Sequence, residues 1–263
     1  MEFVDTHCHL NLMPSEMDID KVIENALNNR IIRIMVPGIN IETSLQAIKL
    51  AEKYQMVYAA IGIHPNEADN WKEDSFKILE ELSQHPKVKA IGEIGLDFYR
   101  DHVPPSIQIH VFKEQMKLSE ISGLPIIVHS RNAINEVIDY LNELKHSKKN
   151  EEKGPSGVIH SFEGNLTNAR QIISQNFLIG IGGPVTYKNA IDEHEISRDF
   201  PSNSIVLETD SPFLAPHPHR GKTNEPSNIK FIAEKIANLS EKPLKWIAQQ
   251  TTKNANRLFA WEQ

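Results

Sequence analysis

His7 and His9 stand one residue apart, directly after the apolar start of the segment FVDTHCHL. In an extended chain, residues i and i+2 project to the same side. The two imidazoles therefore aim at one point, as a pair of metal ligands must. The same placement recurs along the chain: His64 follows the run VYAAIGI, Glu93 lies in AIGEIGLD, His129 ends PIIVH, His160 ends GVIH, and Asp210 ends SIVLETD. A mixed set of imidazoles and carboxylates can take Zn2+, Mn2+ or Mg2+. Glu93 is distinctive within the set, because a carboxylate has two oxygens and can bridge two cations. The flanking Gly92 and Gly95 let the backbone approach a ligand or another strand closely. Asp210 reads as a ligand that also orients a water and accepts its proton. His64 is placed to donate a hydrogen bond to a substrate or leaving group. Glu93, Asp210 and His64 are therefore the candidate catalytic residues.

Two further carboxylates read as support. Glu208 shares a face with Asp210 if the strand stays regular. Asp97 either holds a ligand histidine in its tautomer or caps the loop that follows it. Cys8, between the two histidines, points the other way and reads as a small packing residue. His85, His102, His110, His146 and His194 lie in polar helical or loop surroundings and read as surface residues.

Positioning these groups requires a regular succession of elements. Short apolar runs, read as strands, cover residues 3–5, 31–36, 57–61, 90–91, 126–128, 158–159, 177–181 and 205–207. Helical periodicity covers 18–29, 43–54, 107–121, 132–146 and 166–176, and then 228–239 and 244–259. Thr43-x-x-Gln46 reads as a capping box opening the second helix. Strands alternating with helices imply parallel strands and right-handed crossovers. Eight such units predict an α/β fold, a (β/α)8 TIM-like barrel. In that fold every strand ends on one face, where the ligating residues would meet.

With 263 residues, the chain has the length of one barrel, about 250 residues, and a single domain over 1–263 is expected. No apolar run approaches the roughly 18 residues of a membrane helix, so no membrane association is expected. The N-terminal residues show no secretory pattern, and a lone cysteine suits a reducing compartment; the expected location is cytoplasmic. The net charge of −7 argues against a broad basic face of the kind that grips long duplex DNA. Phosphate binding would rest on a few cations near the mouth: Arg131, Arg220 and Lys222, with Arg100 as a further candidate. Segment 211–226 carries four prolines and reads as a functional loop. Segment 145–157 reads as a solvated loop.

In order along the chain, DTHCHL, GIHP, GEIGLD, HSR, IHSF, ETDSP and RGKTNEP together resemble the TatD family of metal-dependent deoxyribonucleases, within the amidohydrolase-like group. The resemblance implies a somewhat distorted barrel with two divalent cations. It implies that His7, His9, Glu93 and Asp210 hold one cation, and that Glu93, His129 and His160 hold the other. It further implies 3′-to-5′ hydrolysis of DNA phosphodiesters, on single strands or 3′ ends, or deacylation of D-aminoacyl-tRNA. One departure is Thr223, where the family's late motif often has a second arginine; one positive charge is lost from that loop. Two other readings stand beside the nuclease. An amidohydrolase or lactonase would use the same cations to polarise a carbonyl, and the acidic charge suits it. A metal-binding protein without turnover would not need so many ligating groups around an open mouth.

Overall fold

The computed structural model describes residues 1–100, 102–145, 154–199 and 203–261. Its centre is an eight-stranded sheet in which each strand pairs in parallel with the next in chain order. The strands are β1 (Phe3–Asp5), β2 (Ile31–Pro37), β3 (Val57–Ile61), β4 (Val88–Asp97), β5 (Ile126–Arg131), β6 (Gly157–Ile159), β7 (Phe177–Ile181) and β8 (Ile205–Leu207). Between them run α1 (Ile19–Asn28), α2 (Ile41–Lys53), α3 (Ser75–Ser83), α4 (Pro105–Ser122), α5 (Ile134–Lys145), α6 (Leu166–Ser174) and α7 (Ile191–Asp199); α8 (Ile229–Ser240) and α9 (Leu244–Phe259) follow β8. This is the (β/α)8 barrel expected, with its ring distorted at one seam. β1 and β8 meet beyond their ends, where Thr6 N donates to Leu207 O, Asp210 N to His7 O, and His9 N to Ser211 O. Among the described residues no helix is long and apolar enough to cross a membrane.

Alternation along the strands sorts the core into two layers. Val4, Met35, Tyr58, Ala60, Ala90, Ile127, Val158, Leu178 and Val206 form one cluster with Leu258 and Phe259 from the end of the chain's last helix and Trp261 just after it. These are the side chains that line the barrel, and the end of α9 plugs it. The other parity packs against the surrounding helices. Following the lining parity toward the strand ends leads from Ile127 to His129, from Val158 to His160, and from Val206 through Glu208 to Asp210. On β4 the register shifts between Ile91 and Ile94, which brings Glu93 into the interior although its parity is wrong.

Several elements differ from the sequence reading. β4 extends over ten residues rather than two, because beyond the irregularity between Ile91 and Ile94 the chain pairs again with β5 through Gly95 to Asp97. α2 starts earlier. Asn40 is its cap, and Thr43 sits at N3, reciprocating the bond to Asn40 instead of capping. α3 and α7 lacked a readable signal: α3 has only nine residues, and α7 (IDEHEISRD) buries only Ile196 and Ser197, so it shows no apolar stripe. Most of the predicted loop 145–157 lies outside the described residues. Phe259 is almost fully buried in the barrel plug. Phe259→Ala is expected to destabilise the protein by about 3–5 kcal/mol, read as a lowered urea midpoint at unchanged slope.

Candidate metal centre

Glu93 occupies the middle of the mouth and is only 3% exposed. Its two oxygens face different partners. Oε2 lies 3.4 Å from Nε2 of His7 and 3.4 Å from Nε2 of His9. Oε1 lies 2.8 Å from Nδ1 of His129, 3.5 Å from Nε2 of His64 and 3.6 Å from Nε2 of His160. Asp210 stands on the side of the first pair, its Oδ1 3.9 Å from His7 Nε2 and 3.7 Å from His9 Nε2. The structure therefore brings together His7, His9, His64, Glu93, His129, His160 and Asp210, which come from six different strand ends. Three overlapping triads among them have ligand atoms within 4.8 Å of one another: His7–His160–Asp210, His7–His9–Glu93 and His64–Glu93–His129.

The donor geometry fits cations. Nε2 of His7 and Nε2 of His9 are 3.1 Å apart, and Nδ1 of each is buried with no hydrogen-bond partner among the described residues. Two ring nitrogens at that distance share at most one hydrogen, so lone pairs converge there with the carboxylates alongside. Burial, reinforced by His160, keeps the His7 imidazole well below its usual pKa and so in the neutral form that ligates. Burial alone would raise the Glu93 carboxyl. The surrounding imidazoles of His64, His160 and His7 and the hydrogen bond from His129 outweigh it and hold Glu93 well below the usual carboxylate range. Burial pushes Asp210 up to about 6, against the opposing pull of His160 and His9.

Hydrogen bonds behind the rings separate two kinds of histidine. His160 Nδ1 lies 3.0 Å from Glu208 Oε1, which also accepts from Ser161 N at 2.6 Å. A carboxylate there takes the Nδ1 hydrogen and leaves the Nε2 lone pair free for a cation. At His64 the order is reversed. Nδ1 accepts from Asn66 N at 3.0 Å, so in the neutral ring the hydrogen is on Nε2, facing the site. In that tautomer His64 presents a donor to the site, although it stands within ligand distance. Asp97 combines both readings open to it. Its Oδ2 is 3.4 Å from His129 Nε2 and accepts from Asn66, while its Oδ1 accepts from Tyr99 N and Arg100 N.

Several positioning residues escaped the sequence reading. Gln108 and Gln115, seven apart on the buried face of α4, each make paired bonds to one backbone residue. Gln108 holds Asp97 (2.9 and 3.0 Å), and Gln115 holds Ile63, beside His64 (2.7 and 2.9 Å). Polar residues two turns apart within an apolar stripe are the signal that could have found them. Asn224, fully buried within RGKTNEP, donates to Thr209 O and Phe213 O at 2.8 Å each and so clamps the loop that carries Asp210. Asp210 itself has φ 54°, a conformation its short polar side chain tolerates. Asp5 ties the same loop to β1, accepting from Thr209 N and Thr209 Oγ1 at 2.9 and 2.6 Å. Gly95, with φ 142°, lets β4 lie against the His129 backbone, so the glycine there serves strand approach. Cys8 is buried and pairs through its backbone with Ser211.

A cavity of about 410 Å3 opens above the cluster. Arg100 and Arg131 line it, as do Phe213 and Leu214, which the sequence reading passed over; Arg220 and Lys222 do not. Arg220 lies over the Tyr187 ring, 4.4 Å from its centroid, and Lys222 is exposed.

Residues 4–260 match the family model described as TatD related DNase. The chain is 43% identical over 255 residues to an uncharacterized metal-dependent hydrolase, YabD, of Bacillus subtilis (strain 168), covering 97% of this chain and 98% of that one. It is 29% identical to the protein named 3'-5' ssDNA/RNA exonuclease TatD of Shigella flexneri serotype 5b, over 95% and 96% of the two chains. The crystal structure of YJJV, a TatD homolog from Escherichia coli K12, superposes with a TM-score of 0.91 at 31% identity, covering 98% of each chain.

The support behind His160 can be tested without touching a ligand. A Cβ at Gly180 would run into Glu208 Oε2. Gly180→Ala is expected to displace Glu208 and weaken Mn2+ or Zn2+ binding by about 10–100-fold, measured by calorimetric titration, with circular dichroism as the control for folding.

Proposed function

Because the chain belongs to the TatD family of metal-dependent hydrolases, we propose that it is a deoxyribonuclease that removes nucleotides from 3′ ends with two divalent cations bound at the barrel mouth. The observation that carries this reading is the division of Glu93 between two sets of imidazoles, Oε2 toward His7 and His9 and Oε1 toward His129 and His160. One carboxylate placed in this way can hold two cations side by side, the arrangement that suits phosphodiester hydrolysis. His7, His9, Glu93 and Asp210 would hold one; Glu93, His129 and His160 would hold the other. Bound there, Mg2+, Mn2+ or Zn2+ would supply Lewis acidity for the phosphoryl oxygens and an acidified water. The relatives named as 3'-5' ssDNA/RNA exonucleases support the choice of nucleic acid and its polarity.

The chain's own groups have separable tasks. Asp210, at the rim of the His7–His9 side, orients the attacking water and accepts its proton. His64 directs its Nε2 hydrogen at the site and donates it to the phosphoryl or leaving oxygen, which develops negative charge as the P–O bond breaks. Arg131 and Arg100, at the cavity wall, take the phosphate of the strand, and the fixed backbone at Asp97 holds the loop that carries Arg100. Arg220 and Lys222 do not line the cavity, and their part in phosphate binding is correspondingly secondary.

Removing bound metal with a chelator is expected to abolish degradation of an end-labelled oligonucleotide, and Mg2+ or Mn2+ to restore it. Full activity after verified metal removal would refute the mechanism. His64→Ala should lower kcat by about 100–1000-fold while metal content stays intact. Glu93→Ala should cost more activity and also lose metal, so equal single-turnover rates for the two variants would argue against the bridging role. Turnover of D-aminoacyl-tRNA or a lactone, with oligonucleotides untouched, would favour a carbonyl-centred hydrolase instead.

A further inference from the structure

Two exposed aromatic side chains flank the mouth: Phe213 lines the cavity, and Tyr99 lies against Arg131, which lines it. Phe213 follows β8 and is 50% exposed, with Leu214 beside it at 43%. Tyr99 follows β4 and is 61% exposed. In an eight-stranded ring in chain order, β4 and β8 lie four places apart and therefore face each other across the opening. Each aromatic accompanies one half of the ligand cluster. The Phe213 ring is 6.0 Å from the His9 ring. The Tyr99 backbone is bonded to Asp97, which reaches His129, and the Arg131 guanidinium lies 4.1 Å from the Tyr99 ring centroid.

Neither ring is an accident of a loose loop. Phe213 N donates to Asp210 O, and Phe213 O accepts from the buried Asn224. The same clamp that places Asp210 therefore presents the phenyl ring to solvent. Holding large apolar surface in water on a fixed backbone is costly to stability and marks a binding surface. The occupant must be flat, because a phenyl face and an arginine-backed phenol recognise π surfaces. Arg100 and Arg131 lining the same cavity add affinity for an anionic backbone. The overall charge of −7 leaves little long-range attraction for such a strand, so contact surface must supply the affinity.

Building on the nuclease reading above, we propose that Phe213 and the Arg131–Tyr99 pair are two base-stacking platforms, holding the nucleobases on either side of the scissile phosphate in a single strand. A base still stacked in a duplex offers neither face, so the platforms select unpaired ends. Because every base has a π face, the selection is by strandedness and not by sequence.

Oligonucleotides carrying one abasic site, placed on either side of the 3′-terminal scissile bond, test this with metal-loaded enzyme. The wild-type protein should cleave the intact strand with a kcat/KM about 5- to 150-fold above that for either abasic strand. Phe213→Leu keeps the apolar bulk but not the flat face. It should erase discrimination at one flanking position only; Tyr99→Leu should erase it at the other. Phe213→Trp should preserve it, an outcome that a merely structural role for the residue would not separate from leucine. Equal cleavage of intact and abasic strands by the wild type, or unchanged discrimination in both leucine variants, would overturn the platforms and leave the nuclease reading standing. No cleavage of any oligonucleotide by metal-loaded wild type would overturn the nuclease reading and the platforms with it.

Discussion

A carboxylate buried as deeply as Glu93 is stable only if positive charge or hydrogen-bond donors surround it. Four strand ends meet that demand by turning His7, His9, His64, His129 and His160 toward it. The imidazoles in turn are held from behind: His160 by Glu208, His64 by Asn66 N, His129 by Asp97. Their positions follow from one another, and the polar network must be satisfied as a whole. Such a convergence of imidazoles and carboxylates is compatible with metal binding.

The same cluster sits where the barrel closes. β1 and β8 have no ladder along their lengths, and they join through residues 5–9 and 207–211 instead. Asp5, Thr209 and Asn224 tie this seam together, and His7, His9 and Asp210 stand on it. Closure of the fold and assembly of the proposed ligand set therefore draw on the same few hydrogen bonds. A family-typical motif such as RGKTNEP acquires a physical explanation here. Its Asn224 is a structural clamp on the Asp210 loop, while its cations, Arg220 and Lys222, lie outside the cavity.

The chain is acidic overall, yet Arg100, Arg131 and the exposed Phe213 line the cavity, with Tyr99 packed against Arg131. That combination accounts for how an anionic strand could be handled by a protein of net charge −7. The grip is short-range and confined to the mouth, in contrast to the extended basic faces of proteins that bind long duplexes.

The eight-unit alternation, the parallel sheet and the histidines and carboxylates at its strand ends were legible in the sequence, because apolar runs and β/α succession are local patterns. The helices α3 and α7 were not: α3 is short, its apolar stripe being only Phe76, Leu79 and Leu82, and α7 has no apolar stripe. Nor was the role of Gln108, Gln115 and Asn224, whose partners lie far along the chain or depend on how a loop folds back. Residue types could name His64 as a participant, but only the hydrogen bond from Asn66 N set its tautomer and so made it a donor. Likewise, composition could supply a phenylalanine and a tyrosine, whereas the circular order of the strands decided that they face each other. Local sequence specifies which groups exist and which way a strand turns them; convergence across some two hundred residues is a property of the closed ring alone.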